Sequence, residues 1–311
     1  MERTARTRIR DILARTRRLI HPVRVRKGGG QPGARLPGAV VDSAWLDAHL
    51  DRKGIVVVDV RSAEEYAQGH LRNAVSLPFE MPVCAWTTTR DDLLMELPDP
   101  AELRAALGEA GITRESSVVV VTGFGEPPFP QANATRVAMT LRWAGVGEVA
   151  VLDGGHPRWV AEGHPTTTED PQVTPREFTG DVDGSAFVDI DHVRQGIGTA
   201  VLVDARDTAV YTGEVVEPWA QKPGHLPSAR SLPAPSIWNA DGTFVDPAEL
   251  AAMAATAIGP REEGREVIVY CGVGGYGSAW LFVLTQVLGY RNVALFDGAA
   301  QEWVRYHDVE R

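Results

Sequence analysis

The chain has 311 residues, 44% of them hydrophobic and 23% charged, and a formal net charge of −10. That length exceeds what one core usually organises, so two domains are expected. The acidic balance argues against a nucleic-acid-binding body. No run approaches the roughly 18 uninterrupted apolar residues that a membrane helix needs. The two cysteines, Cys84 and Cys271, are too few for a disulfide framework or a cysteine-rich metal site, and with no secretion signal a reducing cytoplasm is the expected location.

The charge is unevenly spread. Residues 1–36 hold ten Arg and one Lys against Glu2 and Asp11, a local charge of +9, which leaves −19 on the rest. Residues 1–38 read as a basic, flexible extension, with Gly28-Gly29-Gly30 as a linker. Arg17-Arg18 has no apolar stretch after it, because His21, Pro22, Arg24 and Arg26 interrupt. A twin-arginine export signal is therefore not supported.

Beyond the extension the chain repeats itself. Val56-Val57-Val58-Asp59-Val60-Arg61 returns as Val201-Leu202-Val203-Asp204-Ala205-Arg206, and Gly69-His70-Leu71 returns as Gly224-His225-Leu226. Val118 to Val121 match Val267 to Tyr270. Asp153-Gly154 matches Asp297-Gly298, with Trp159 and Trp303 each six residues on. Same landmarks in the same order mean a duplicated domain. Short Val-rich runs bounded by Asp, Gly and Pro are expected to be strands buried on both faces of a parallel sheet. Helical segments lie between them, over 101–107 and 132–143 in the first copy and from Asp246-Pro247 in the second. The fold class is thus α/β, with two three-layer α/β/α domains over 39–165 and 185–311. Residues 166–184, rich in Thr, Pro, Asp and Gly, are the expected linker.

Chemistry concentrates where the second copy reads Tyr270-Cys271-Gly272-Val273-Gly274-Gly275-Tyr276-Gly277. A strand ends at Cys271, a glycine-rich loop follows, and a helix is expected from near Gly277 through Leu288. Glycines let successive backbone N–H groups turn inward, and a helix N-terminus adds to that field. A thiol at the centre is expected to ionise readily and act as a nucleophile. The first copy has Thr122 at the matching position and a proline-rich segment after it, so it is expected to be catalytically silent. Cys84, among apolar neighbours, reads as core.

Residues 40–311 resemble the tandem-rhodanese family, which includes thiosulfate and 3-mercaptopyruvate sulfurtransferases. The motifs that carry the resemblance are Asp59-Val60-Arg61 with Glu65-Tyr66 and Gly69-His70, Asp153-Gly154-Gly155, Gly224-His225-Leu226-Pro227, and the Cys271 loop. It implies a ping-pong sulfur transfer through a Cys271 persulfide, with the active site between the domains on the second. A small anionic donor would load Cys271, and a thiol, cyanide or a protein acceptor would unload it. No metal or organic cofactor is implied. Gly272 to Gly277 would cradle the persulfide, and Arg206 and Lys222 would bind the donor. Arg206 is expected to lack the local acid that Glu65 offers Arg61, since Val210 stands there; unless Asp207 or Glu214 substitutes, it would stand unpaired. Asp59 and His70 match a relay of the mercaptopyruvate branch.

Departures from the family blur the substrate. Gly272 and Val273 stand where thiosulfate-using relatives have basic residues. Val273 also lacks the hydroxyl of the mercaptopyruvate branch, so the relay misses its third member. His225 repeats His70, and Asp204 repeats Asp59, which favours structural duties for these pairs. A cysteine phosphatase would need Arg where Gly277 stands. A non-catalytic binding module, or a dedicated persulfide carrier docked through the basic extension, is the alternative to an enzyme.

Overall fold

The computed structural model describes residues 35–81, 83–123, 125, 129–259 and 264–311. The basic extension therefore lies outside the described residues up to position 34. In the first copy, β1 (Val40–Val41), β2 (Ile55–Asp59) and β3 (Ala74–Ser76) are joined later in the chain by β6 (Ser117–Val121) and β7 (Glu148–Leu152) in one parallel sheet, ordered β1-β7-β6-β2-β3. Between β3 and β6 the chain makes an antiparallel hairpin of β4 (Thr88–Arg90) and β5 (Leu93–Glu96). The second copy builds the same sheet from β8 (Phe187–Val188), β9 (Val201–Asp204), β10 (Arg230–Ser231), β11 (Val267–Tyr270) and β12 (Val293–Phe296), ordered β10-β9-β11-β12-β8. Read from opposite edges, the two orders are one order.

Helices cover both faces of each sheet. They are α1 (Ser43–Asp47), α2 (Ala63–Gln68), α3 (Pro100–Glu109), α4 (Phe129–Trp143) and α5 (Gly155–Ala161) in the first copy. The second has α6 (Ile190–Gly196), α7 (Thr208–Tyr211), α8 (Pro247–Ile258), α9 (Gly275–Phe282) and α10 (Ala299–Tyr306). Strand alternation explains the layering. Val118, Val120, Val203 and Val269 point into one apolar core that spans both copies. Val119 and Val121 face a second cluster outside the first sheet, while Ile268 and Tyr270 face a third outside the second sheet. Local signals set the helix starts: Asp99 caps α3 ahead of Pro100, and Asp246 caps α8 ahead of Pro247.

The copies are locked through α4 and α9, which pack on each other. Thr135 Oγ1 and Ser278 Oγ meet there at 3.4 Å. Beside them the fully buried Arg136 donates from Nη2 to the Met95 carbonyl (2.6 Å) and to Asp297 Oδ1 (2.7 Å). The β4–β5 hairpin, longer than the Trp238–Phe244 turn that occupies the same place in the second copy, docks on that copy. Leu94 exchanges two hydrogen bonds with the Gln301 side chain, and Arg305 donates to the carbonyls of Asp91 and Asp92.

Residues 166–183 carry no helix or strand beyond a bridge from Thr167 to His70. They run along the first copy, burying Phe178 and donating from Arg176 N to the Gly108 carbonyl. A Cβ on Gly108 would stand 2.5 Å from the Arg176 carbonyl oxygen. Gly108→Ala, which in an exposed helix would stabilise by about 1 kcal/mol, is expected here to destabilise by about 1–3 kcal/mol through overpacking. A chemical denaturation midpoint measures it.

Candidate active site

β11 is fully buried and pairs with β9 so that Tyr270 lies opposite Asp204. In the first sheet Val121 lies opposite Asp59. The next residues, Cys271 and Thr122, are therefore structural equivalents. Thr122 spends its hydroxyl on the Pro130 carbonyl, whereas Cys271 keeps a free thiol. Gly274 N donates to Cys271 Sγ at 3.0 Å, and the backbone N–H groups of Gly277 and Val273 also favour the thiolate. Gly274 holds φ +99, a left-handed conformation that glycine adopts without strain. Behind the loop, a Cβ on Gly274 would stand 3.4 Å from Arg136 Nη1. The first copy thus packs behind the loop.

Two expectations need correcting. The helix after Cys271 begins at Gly275, earlier than Gly277, and ends at Phe282, where a π-helical turn, Val283–Val287, replaces its last turns. The Cys271 thiol is held above its ordinary pKa, not below. Burial is the largest cause and Glu217 adds to it, and together they outweigh the backbone N–H groups.

Arg206 is not unpaired. Its Nε and Nη2 grip Asp204, with Nη2 at 2.6 Å, and Nη2 also donates to the Gly224 carbonyl. Arg61 repeats every one of these bonds with Asp59 and the Gly69 carbonyl. Glu65, the partner expected for Arg61, instead closes a capping box with Ser62. Tyr270 Oη adds a further bond to Asp204 at 2.7 Å. One duplicated brace accounts for both arginines. What differs is Arg206 Nη1, which lies 3.5 Å from Glu217 Oε2.

Glu217 belongs to a stretch that the first copy lacks. Eight positions separate Arg61 from Gly69, but eighteen separate Arg206 from Gly224. The extra chain folds its Glu217 carboxylate and Trp219 indole over Gly272. A Cβ on Gly272 would lie 2.6 Å from Glu217 Oε2 and would also collide with Trp219 Nε1. Burial pushes the Glu217 carboxyl up, while Arg206 pulls it down, Asp204 pushes it up again, and the Trp219 indole N–H favours its ionised form. Trp219 is 39% exposed and Tyr276 half-buried. Burial and then Asp207 hold the Tyr276 hydroxyl well above its ordinary range.

The remaining expected residues lie in other contacts. Lys222 Nζ is tied to the His307 carbonyl and to Asp308. Asp59 is inside the Arg61 brace. His70 stacks on Tyr66 and bonds the carbonyls of Tyr66 and Glu169, as His225 stacks on Tyr211 and bonds its carbonyl. Cys84 is half-buried, with Sγ 3.6 Å from Thr87 Oγ1. Glu217 escaped the sequence reading, although the length mismatch between the copies pointed to its loop. Arg136 had no such signal.

The rhodanese-like domain family matches this chain twice, over residues 42–162 and 190–306. The chain therefore belongs to the rhodanese-like family, in a two-domain form. A protein of Haloferax volcanii named "Putative thiosulfate sulfurtransferase" is 31% identical over 281 residues, covering 85% of this chain and 92% of its own. One of the same name from Synechococcus elongatus is 30% identical over 277 residues, covering 86% and 82%. Among solved structures, SseA of Escherichia coli, a 3-mercaptopyruvate sulfotransferase by its description, superposes with a TM-score of 0.70 at 26% identity, covering 84% of this chain and 98% of its own. The anaerobic ergothioneine biosynthesis enzyme of Chlorobium limicola, solved with trimethyl histidine, superposes at 0.72 and 25% identity, covering 86% and 68%. The relatives are sulfur-transfer proteins as a class, with differing substrates. Among the described residues no helix is long and apolar enough to cross a membrane.

Proposed function

We propose that this protein is a sulfurtransferase working through a persulfide on Cys271, with residues 185–311 as the catalytic domain and 39–165 as its silent partner. The observation that carries the reading is the Cys271 thiol itself, set at a strand end with the N–H groups of Val273, Gly274 and Gly277 converging on its sulfur. After the thiol gives up its proton, Sγ attacks the sulfane sulfur of a donor such as thiosulfate. The donor's S–S bond breaks, sulfite leaves with the electron pair, and Cys271–S–S⁻ remains. With 3-mercaptopyruvate the C–S bond breaks instead, and the carbon keeps the pair, gains a proton and becomes pyruvate. The loop N–H groups hold the terminal sulfur's charge. A thiol or cyanide then takes the outer sulfur and regenerates the thiolate. Both cysteines are free, which suits a reducing compartment such as the cytoplasm.

Intact-protein mass after incubation with thiosulfate, and separately with 3-mercaptopyruvate, tests the reading. A gain of about 32 Da that disappears with cyanide and is absent from Cys271→Ser is expected. Folded protein with a titratable thiol and no gain from either donor would favour a dedicated persulfide carrier or a binding module.

A further inference from the structure

The charges around Cys271 run against a small dianion. The loop 271–277 has no charged residue. Of the two guanidiniums near the loop, Arg136 is fully buried behind Gly274 and paired with Asp297 at 2.7 Å, and Arg206 already faces Asp204 at 2.6 Å and Glu217 at 3.5 Å, so two carboxylates share its positive charge. Its side chain is 2% exposed, and no free fork is turned outward. Lys222 is spent on Asp308 and a carbonyl. Glu217 is packed directly on Gly272, the residue that follows the nucleophile. The Trp219 indole, partly exposed beside it, supplies an aromatic surface of the kind on which cations rest.

We infer that Glu217 is a specificity-determining residue that makes the Cys271 cleft prefer a sulfur acceptor carrying a positive charge near its nucleophilic atom. This rests on the persulfide reading above and deepens it. In the transfer step the acceptor's thiolate attacks the outer sulfur of Cys271–S–S⁻, whose charge the loop N–H groups hold. The S–S bond breaks, its electron pair stays on Cys271 Sγ, and the acceptor leaves as R–S–S⁻. A cationic group on that acceptor gains from Glu217, while a carboxylate in its place meets repulsion. The negative wall lies on the insertion that distinguishes the catalytic copy from the silent one, so substrate charge is read by the part of the domain that is new.

The test uses the full chain loaded from cysteamine persulfide, a sulfane-sulfur donor that is not a dianion, the added sulfur being confirmed by mass. Persulfide loss is then followed with cysteamine (cationic), 2-mercaptoethanol (neutral) and mercaptoacetate (anionic), for the wild type and for Glu217→Gln. Each thiol's own reactivity cancels when the two proteins are compared. The cysteamine-to-mercaptoacetate rate ratio is expected to fall about tenfold in Glu217→Gln, the scale of one nearby charge partly offset by Arg206. In the wild type, added salt should slow cysteamine and speed mercaptoacetate relative to 2-mercaptoethanol, which carries the thiolate charge alone. This second measurement stands even if the variant folds poorly. Loaded protein showing equal ratios in both forms, or no divergence with salt, overturns the inference alone. Protein that takes up no sulfur on Cys271 overturns the persulfide reading and this inference with it.

Discussion

Arg206→Met should cost about 3–5 kcal/mol of stability, the penalty for leaving one member of a buried ion pair without its partner. Asp204 is wholly buried and takes its charge compensation from Arg206 through Nε and Nη2. Methionine fills much of the volume but leaves Asp204 with Tyr270 Oη and the Arg206 backbone N–H. Arg61→Met is the matched control, because Arg61 makes the same bonds to Asp59 and Gly69. Both variants should lower the urea midpoint to a similar degree. Only Arg206→Met should also alter sulfur transfer, since only Arg206 faces Glu217. A loss below about 1 kcal/mol in both would remove the brace as a structural necessity.

Protein stability should fall as pH rises from about 4.5 to about 7 by an amount that Glu96→Gln abolishes. Glu96 is buried at the interface between the copies. Burial, and next the charge of Asp297, push its carboxyl from an ordinary 4.5 up to about 7. Its Oε1 finds no hydrogen-bond partner among the described residues. Because the folded value is the higher one, the folded chain holds the proton longer than the unfolded chain. The stabilisation is complete below the unfolded value and is lost as pH rises through the folded value. Above pH 7 the charged Glu96 should leave the wild type up to about 3 kcal/mol less stable than Glu96→Gln. Below pH 4.5 the two should coincide. Thermal unfolding across pH 4–8 on both proteins reads the difference, and parallel curves would assign the titration to another group.

Much of the fold was legible because duplication doubles every signal. The Val-rich runs marked the strands, Asp246-Pro247 marked a helix start, and the Cys271 loop stood out against Thr122. Side-chain partnerships were less legible. Glu65 sits one helical turn from Arg61 and looked like its partner, yet Asp59 is nearer in space, because a residue at a strand end and its neighbour two positions on turn to the same side. The wall of the site was harder still. Glu217 approaches Gly272 across more than fifty residues of chain, and nothing periodic announces a contact made by an irregular insertion. Arg136 sits in a helix that also carries Gln131, Asn133, Thr135 and Arg142, so one more polar residue does not stand out, and its partners Met95 and Asp297 come from a hairpin and from the other copy.

The Arg136 contact bears on how such a protein can evolve. A duplicated gene ordinarily retains the option of losing one copy, since each product began as a self-sufficient unit. Here the ancestral symmetry has been traded for mutual dependence. Deleting the first copy would strip the Cys271 loop of the cation beneath it and orphan Asp297, while deleting the second would leave Arg136 without its carboxylate. The first copy carries Thr122 where the second carries Cys271, yet it grips Asp297 and packs beneath the loop that follows Cys271, so each copy completes a buried contact of the other.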